Sequence, residues 1–114
     1  MARDALTVQP ITGAGVAPTF IAAHVDGMSF PNSGNPIVVE IKNAGGTACV
    51  ATFQTPGKAQ GETITARAVT VPITTGDRMI TWFPPEVFNQ SDGSVYIDFS
   101  QVASVTIAVF SLPY

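Results

Sequence analysis

Apolar and polar residues alternate most clearly from residue 37 onward. Ile37, Val39 and Ile41 fall on one face of an extended segment, with Val38, Glu40 and Lys42 on the other. The same period of two recurs at Val95, Ile97 and Phe99, and again at Val105, Ile107 and Val109. These segments predict strands over 37–42, 94–99 and 105–111. Further strands are expected over 47–55, 64–71 and 77–83, with shorter ones over 6–8 and 19–23. Turn chemistry separates them: His24-Val25-Asp26-Gly27, the 32–36 stretch, Asn43-Ala44-Gly45-Gly46, Thr74-Thr75-Gly76 and Ser91-Asp92-Gly93. The Asn43–Gly46 turn leads one strand directly into another, so 37–42 and 47–55 are expected to form a hairpin. Residues 55–62 read as a polar loop. Pro84-Pro85 breaks pairing, and 86–90 reads as one short helical turn or an irregular stretch.

Seven or eight short strands between turn signals predict an all-β domain of two packed antiparallel sheets, a β-sandwich or jelly roll. Residues 1–18 contain Pro10, Gly13, Gly15 and Pro18 and alternate weakly, so they are read as an extended N-terminal arm. Residues 19–114 form the single β-sandwich domain. Composition agrees: 13 Val, 13 Thr and 9 Ile stand against two Leu, and helix-building residues are scarce.

Charge narrows the functional classes. Only 11% of the 114 residues are charged, about half the usual share, and the net charge is −3. Five scattered basic residues offer no footprint for nucleic acid. No 18-residue apolar run is present, so no membrane partner is expected, and the first residues lack signal-peptide character, which places synthesis in a cytosol.

Candidate chemistry is sparse. His24 is the single histidine, and Asp26 could orient it, but a general-base site needs both to converge with a nucleophile in a cleft. The pair falls on a turn and is read as a surface or interface histidine. Cys49, the single cysteine, shares a strand face with Ala51 and Phe53 and is read as a buried hydrophobe. The eight carboxylates form no calcium loop, no zinc spacing exists, and no cofactor is expected. The chain is not expected to be an enzyme.

The aromatic segment Trp82-Phe83-Pro84-Pro85-Glu86-Val87-Phe88 stands apart. Consecutive residues of a strand point to opposite faces, so Trp82 and Phe83 cannot share one core. Paired apolar residues at Val38-Val39 and around Phe110-Ser111-Leu112 likewise place apolar groups on both faces, as expected of a surface covered by another subunit. The expected contact residues are Leu6, Val8 and Ile11 of the arm, with Trp82, Phe83 and Phe88.

Several stretches carry a resemblance: Ala5-Leu6-Thr7-Val8-Gln9, Asp26-Gly27-Met28-Ser29-Phe30-Pro31-Asn32, Val39-Glu40-Ile41-Lys42-Asn43-Ala44-Gly45-Gly46, Phe53-Gln54-Thr55-Pro56 and Phe83-Pro84-Pro85-Glu86-Val87-Phe88-Asn89-Gln90. Over nearly the whole chain these resemble small capsid decoration (cementing) proteins of tailed bacteriophages. The resemblance implies a non-enzymatic virion protein, made in the host bacterial cytoplasm. It would bind the major capsid protein on the capsid exterior, commonly as a homotrimer. Two other readings stay open: a tail, neck or fibre-associated structural protein, and an immunoglobulin-like module for carbohydrate or cell surfaces.

Overall fold

The computed structural model describes residues 4–32, 36–59, 61–63 and 65–112. The expected turn at 33–35, the start of the arm and the expected strand start at Ile64 lie outside them. The elements in chain order are β1 (Asp4–Ala5), β2 (Val8–Pro10), β3 (Ile21–Ala22), β4 (Met28–Pro31), β5 (Ile37–Asn43), β6 (Cys49–Phe53), β7 (Lys58–Ala59), β8 (Glu62–Thr63), β9 (Arg67–Val71), β10 (Gly76–Thr81), the single helical turn α1 (Pro85–Phe88), β11 (Ser94–Phe99) and β12 (Val105–Ser111). The fold is all-β. One five-stranded sheet has the order β1-β4-β11-β6-β9; the second has the order β10-β5-β12-β2, with β3 also paired to β12. Strands β7 and β8 form a separate ribbon.

The period-two patterns become inward faces. Met28 and Phe30, Cys49, Ala51 and Phe53, and Val95 and Ile97 line the first sheet; Ile37, Val39 and Ile41 with Val105, Ile107 and Val109 line the second. All join one hydrophobic core. The longest pairing, β5 with β12, runs antiparallel from Asn43↔Val105 to Ile37↔Ser111.

Two expectations change. First, β5 and β6 do not form a hairpin, because they belong to different sheets. Both edges of β5 are taken, by β10 and β12, and the 44–48 link arches across the core. Asn43 holds that arch. It is fully buried, its Nδ2 donates to the carbonyls of Thr47 (2.9 Å) and Val71 (3.3 Å), and its Oδ1 accepts from the Gly45 N–H at 2.9 Å. The Ala44 N–H goes to Ser104 O, so the link's donors face other loops rather than a hairpin partner.

Second, the sheets are mixed rather than antiparallel. β1 pairs with β4 in parallel and β2 pairs with β12 in parallel. The single strand expected at 6–8 is split because the chain changes sheets there. Leu6 drops between the sheets, 5% exposed, while its N–H donates to Ser29 O at 2.7 Å. Pairing thus begins at Asp4. Residues 11–20 carry no strand and form a loop closed at its base by Gln9, whose side-chain amide donates to Thr19 O and accepts from Thr19 N, both at 2.9 Å.

Asn43→Ala leaves the Val71 and Thr47 carbonyls short of a donor inside the arch. It should lower unfolding free energy by about 2–3 kcal/mol, read from urea midpoints. A loss below about 1 kcal/mol would show that the arch holds without this side chain.

Candidate interaction site

Strand β10 was expected to reach residue 83 and stops at Thr81, because Trp82 adopts a φ of 75°. A tryptophan in this left-handed region is strained, at roughly 1–3 kcal/mol. The consequence is a reversal of alternation: Trp82 turns outward, 71% exposed, and Phe83 turns inward, 6% exposed. Phe83 then meets Phe30, Phe53 and Phe88 with ring centroids 5.5, 5.2 and 5.4 Å apart. Edge-on contact with Phe30 and Phe88 suits the ring quadrupoles.

The chain after Phe83 is held on several sides. Pro84 precedes α1 with extended dihedrals, and Pro85 starts the helical turn, where its missing N–H costs nothing. Asn32, buried at the end of β4, donates to Phe83 O (2.7 Å) and to Asn89 Oδ1 (2.8 Å), and Asn89 Nδ2 donates back to Asn32 O (2.9 Å). Gly57 packs against the Glu86 carbonyl so closely that a Cβ there would clash with it, and its N–H reaches Val87 O.

Arg67 of β9 completes the unit. Its Nη1 donates to Thr81 O at 3.0 Å and its Nη2 to Trp82 O at 2.7 Å, so it stabilises the strained peptide from beneath. The guanidinium also lies 4.5 Å from the Phe88 ring centroid, 5.1 Å from that of Phe83 and 5.8 Å from that of Trp82. Burial lowers its pKa, but a guanidinium remains charged. Beside Trp82 lies a shallow groove of about 310 Å³ formed by Pro36, Ile37 and the 81–85 segment. The ensemble is an apolar promontory beside a shallow groove, held from below by Arg67 and Asn32.

No known protein family, curated protein or solved structure matches the chain.

The expected contact residues divide. Trp82, Phe83 and Phe88 do come together, yet Phe83 and Phe88 are core residues that position Trp82 and present no surface of their own. In the arm, Leu6 is likewise in the core, Val8 is half-buried against it, and Ile11 is partly exposed with its N–H on Ser111 O. Their apolar character is used within the chain, because β1 and β2 lie along both sheets. Arg67 and Asn32 escaped the sequence reading. Each acts on carbonyls more than ten residues away, and no local pattern marks such a partner.

The two reactive side chains are engaged otherwise. His24 Nδ1 accepts the Asp26 backbone N–H at 3.1 Å, so it does not donate to the Asp26 carboxylate, whose Oδ2 sits 3.9 Å away without a hydrogen-bond partner. That is the reverse of the arrangement that activates a catalytic imidazole. Cys49 is buried, which raises its pKa, and its Sγ donates to Gln101 O at 3.3 Å. Such a thiol is a poor nucleophile. Among the described residues no group of three or more His, Cys, Asp or Glu side chains could hold a metal ion. No helix among them is long and apolar enough to cross a membrane.

Arg67→Ala should cost about 2 kcal/mol, from two charge-assisted hydrogen bonds and the ring contacts. Arg67→Lys should recover less than half, since an ammonium cannot bridge both carbonyls. Full recovery by lysine in urea titrations would reduce Arg67 to a simple positive charge.

A titratable feature lies on the outer face of the second sheet. Partial burial, then a hydrogen bond and charge repulsion from Asp77, push the Glu40 pKa above its ordinary value, with Lys42 opposing. A carboxyl with a raised folded pKa adds stability below its unfolded pKa and loses it as pH rises through the folded one. Glu40→Gln should therefore be more stable than wild type at pH 7, by less than about 1 kcal/mol given solvent screening. The advantage should vanish near about pH 3.5, below the ordinary glutamate range. An advantage independent of pH would exclude the charge on Glu40 as its source.

Proposed function

We propose that this chain is a non-enzymatic virion subunit, a decoration protein that binds the exterior of a tailed-phage capsid through its major capsid protein. The observation that carries the reading is Trp82. A strained and exposed tryptophan lowers the stability of the isolated chain, and strain of this kind persists where the surroundings enforce it for a function. Here Arg67, Phe83 and Asn32 enforce it. Tryptophan is also the residue most enriched among interface hot spots. Its neighbours Pro36, Ile37, Pro84 and Pro85 are apolar and uncharged, as the centre of a protein interface is.

Two further features support this reading. The chain is poor in charge, and His24 and Cys49 are engaged structurally. In this reading the two sheets form a jelly-roll type of sandwich, and residues 1–18 are its arm. The chain crosses between the sheets at most of its long connections, from β4 to β5, β5 to β6, β9 to β10, β10 to β11 and β11 to β12. Stabilisation follows from mass action: a subunit that binds the expanded lattice and not its precursor shifts the equilibrium toward the expanded, intact shell.

Co-sedimentation with expanded and precursor capsids of the encoding phage tests the proposal. Wild-type protein should pellet with expanded shells only. Trp82→Gly should bind at least about tenfold more weakly, which is the loss of a modest hot spot. It should unfold no earlier than wild type, because glycine removes the left-handed strain. Failure of the wild type to bind either shell would sink the decoration reading. Undiminished binding by Trp82→Gly would remove Trp82 from the contact.

A further inference from the structure

The groove beside Trp82 is one-sided in its hydrogen bonding. Each backbone carbonyl of the residues that line it already accepts a bond from within the chain. Pro36 O accepts from the Leu112 N–H at 3.0 Å, and Ile37 O from the Thr81 hydroxyl at 2.7 Å. Thr81 O and Trp82 O are taken by Arg67, and Phe83 O by Asn32. Pro84 O accepts the Val87 and Phe88 N–H groups of α1, and Pro85 O accepts that of Asn89. No charged side chain lines the groove.

The donor side differs. Pro36, Pro84 and Pro85 have no N–H, and the indole N–H of the exposed Trp82 finds no acceptor among the described residues. The ring is also held in place. Its backbone, at a φ of 75°, is bonded to Arg67, whose guanidinium lies 5.8 Å from the ring centroid. The groove therefore offers apolar surface and the positive end of one N–H dipole, with no carbonyl left for an incoming N–H.

Resting on the reading of Trp82 as a contact with a protein partner, we infer that this groove binds a proline-rich segment of that partner in the polyproline II conformation. The distribution of partial charge selects this occupant. An ordinary extended segment would bury its N–H groups against carbonyls that are already engaged, which is costly. A purely apolar ligand would leave the indole N–H without an acceptor. A proline-rich segment brings carbonyl acceptors and few donors, because each proline lacks an N–H. Polyproline II has no internal hydrogen bonds, so those carbonyls are free to accept from Trp82. Its stiffness also lowers the entropy lost on docking, and aromatic-lined grooves take such segments for this reason.

Trp82 is the single tryptophan, so its fluorescence reads the groove directly. Titrating the full chain with an end-blocked L-oligoproline peptide should shift the emission saturably to the blue as the exposed indole is covered. A Gly-Ser peptide of equal length should leave it unmoved, and so should the D-oligoproline peptide, whose helix has the opposite hand. Trp82→Phe keeps an aromatic ring and the strained backbone but removes the indole N–H. By calorimetry it should bind L-oligoproline about two- to tenfold more weakly, the worth of one hydrogen bond, with an unchanged circular dichroism spectrum. Trp82→Gly should show no saturable binding. An emission indifferent to L-oligoproline, an equal response to either control peptide, or full affinity in Trp82→Phe would each overturn the proposal. Capsid sedimentation reads the decoration hypothesis separately. Shells bound through Trp82 by a protein blind to oligoproline remove only this inference, and oligoproline binding by a protein that ignores shells removes only the decoration reading.

Discussion

The apolar layer between the two sheets admits two buried polar side chains among the described residues, Asn43 and Asn32, and both serve backbone groups that neither sheet can pair. The rest of the structure depends on this arrangement. A dry layer tolerates an irregular connection only where its donors and acceptors are satisfied. Asn43 satisfies the arch that lets β5 and β6 join opposite sheets. Asn32 anchors Phe83 O and Asn89, and so fixes the segment that carries Trp82. Without these two amides the chain could not cross between sheets at those points without leaving carbonyls unpaired.

The scarcity of charge acquires a location. Arg67 lies over aromatic rings with its donors on carbonyls, so its charge serves the fold and adds little to the hydrated surface. Of the large exposed hydrophobics, Ile21, Met79 and Trp82 lie at the flanks or the end of the second sheet, while Val16, Val25 and Ile73 lie on connecting loops. Exposed apolar groups along open strand edges invite pairing with other chains.

Much of the fold was legible in the residues. The alternation at Ile37-Val39-Ile41, Val95-Ile97 and Val105-Ile107-Val109 marks inward faces because a strand flanked by water on one side must alternate. The helical turn α1 follows from Pro85 at the first helical position. Strand pairing was expected to run up to Pro84, and Trp82 and Phe83 to part by strand alternation, but pairing ends at Thr81 and the left-handed backbone at Trp82 is what turns one ring out and the other in. That depended on the space among Phe30, Phe53 and Phe88, which exists only after three distant segments have packed.

Local periodicity and turn residues therefore set the strands, their faces and the all-β class, since these follow from interactions between near neighbours in the chain. Which strands became partners was decided in three dimensions. The Asn43-Ala44-Gly45-Gly46 turn is compatible with a hairpin, but an arch buries both inward faces against each other and gives β5 two full-length neighbours. The same holds for Leu6, whose place in the core arises because β1 and β2 run along different sheets. It holds for Arg67, whose carbonyl partners come within reach only when β9 and the end of β10 are packed together. Contacts between residues far apart in the chain leave no local pattern, and the exposed Trp82 segment is built on such contacts.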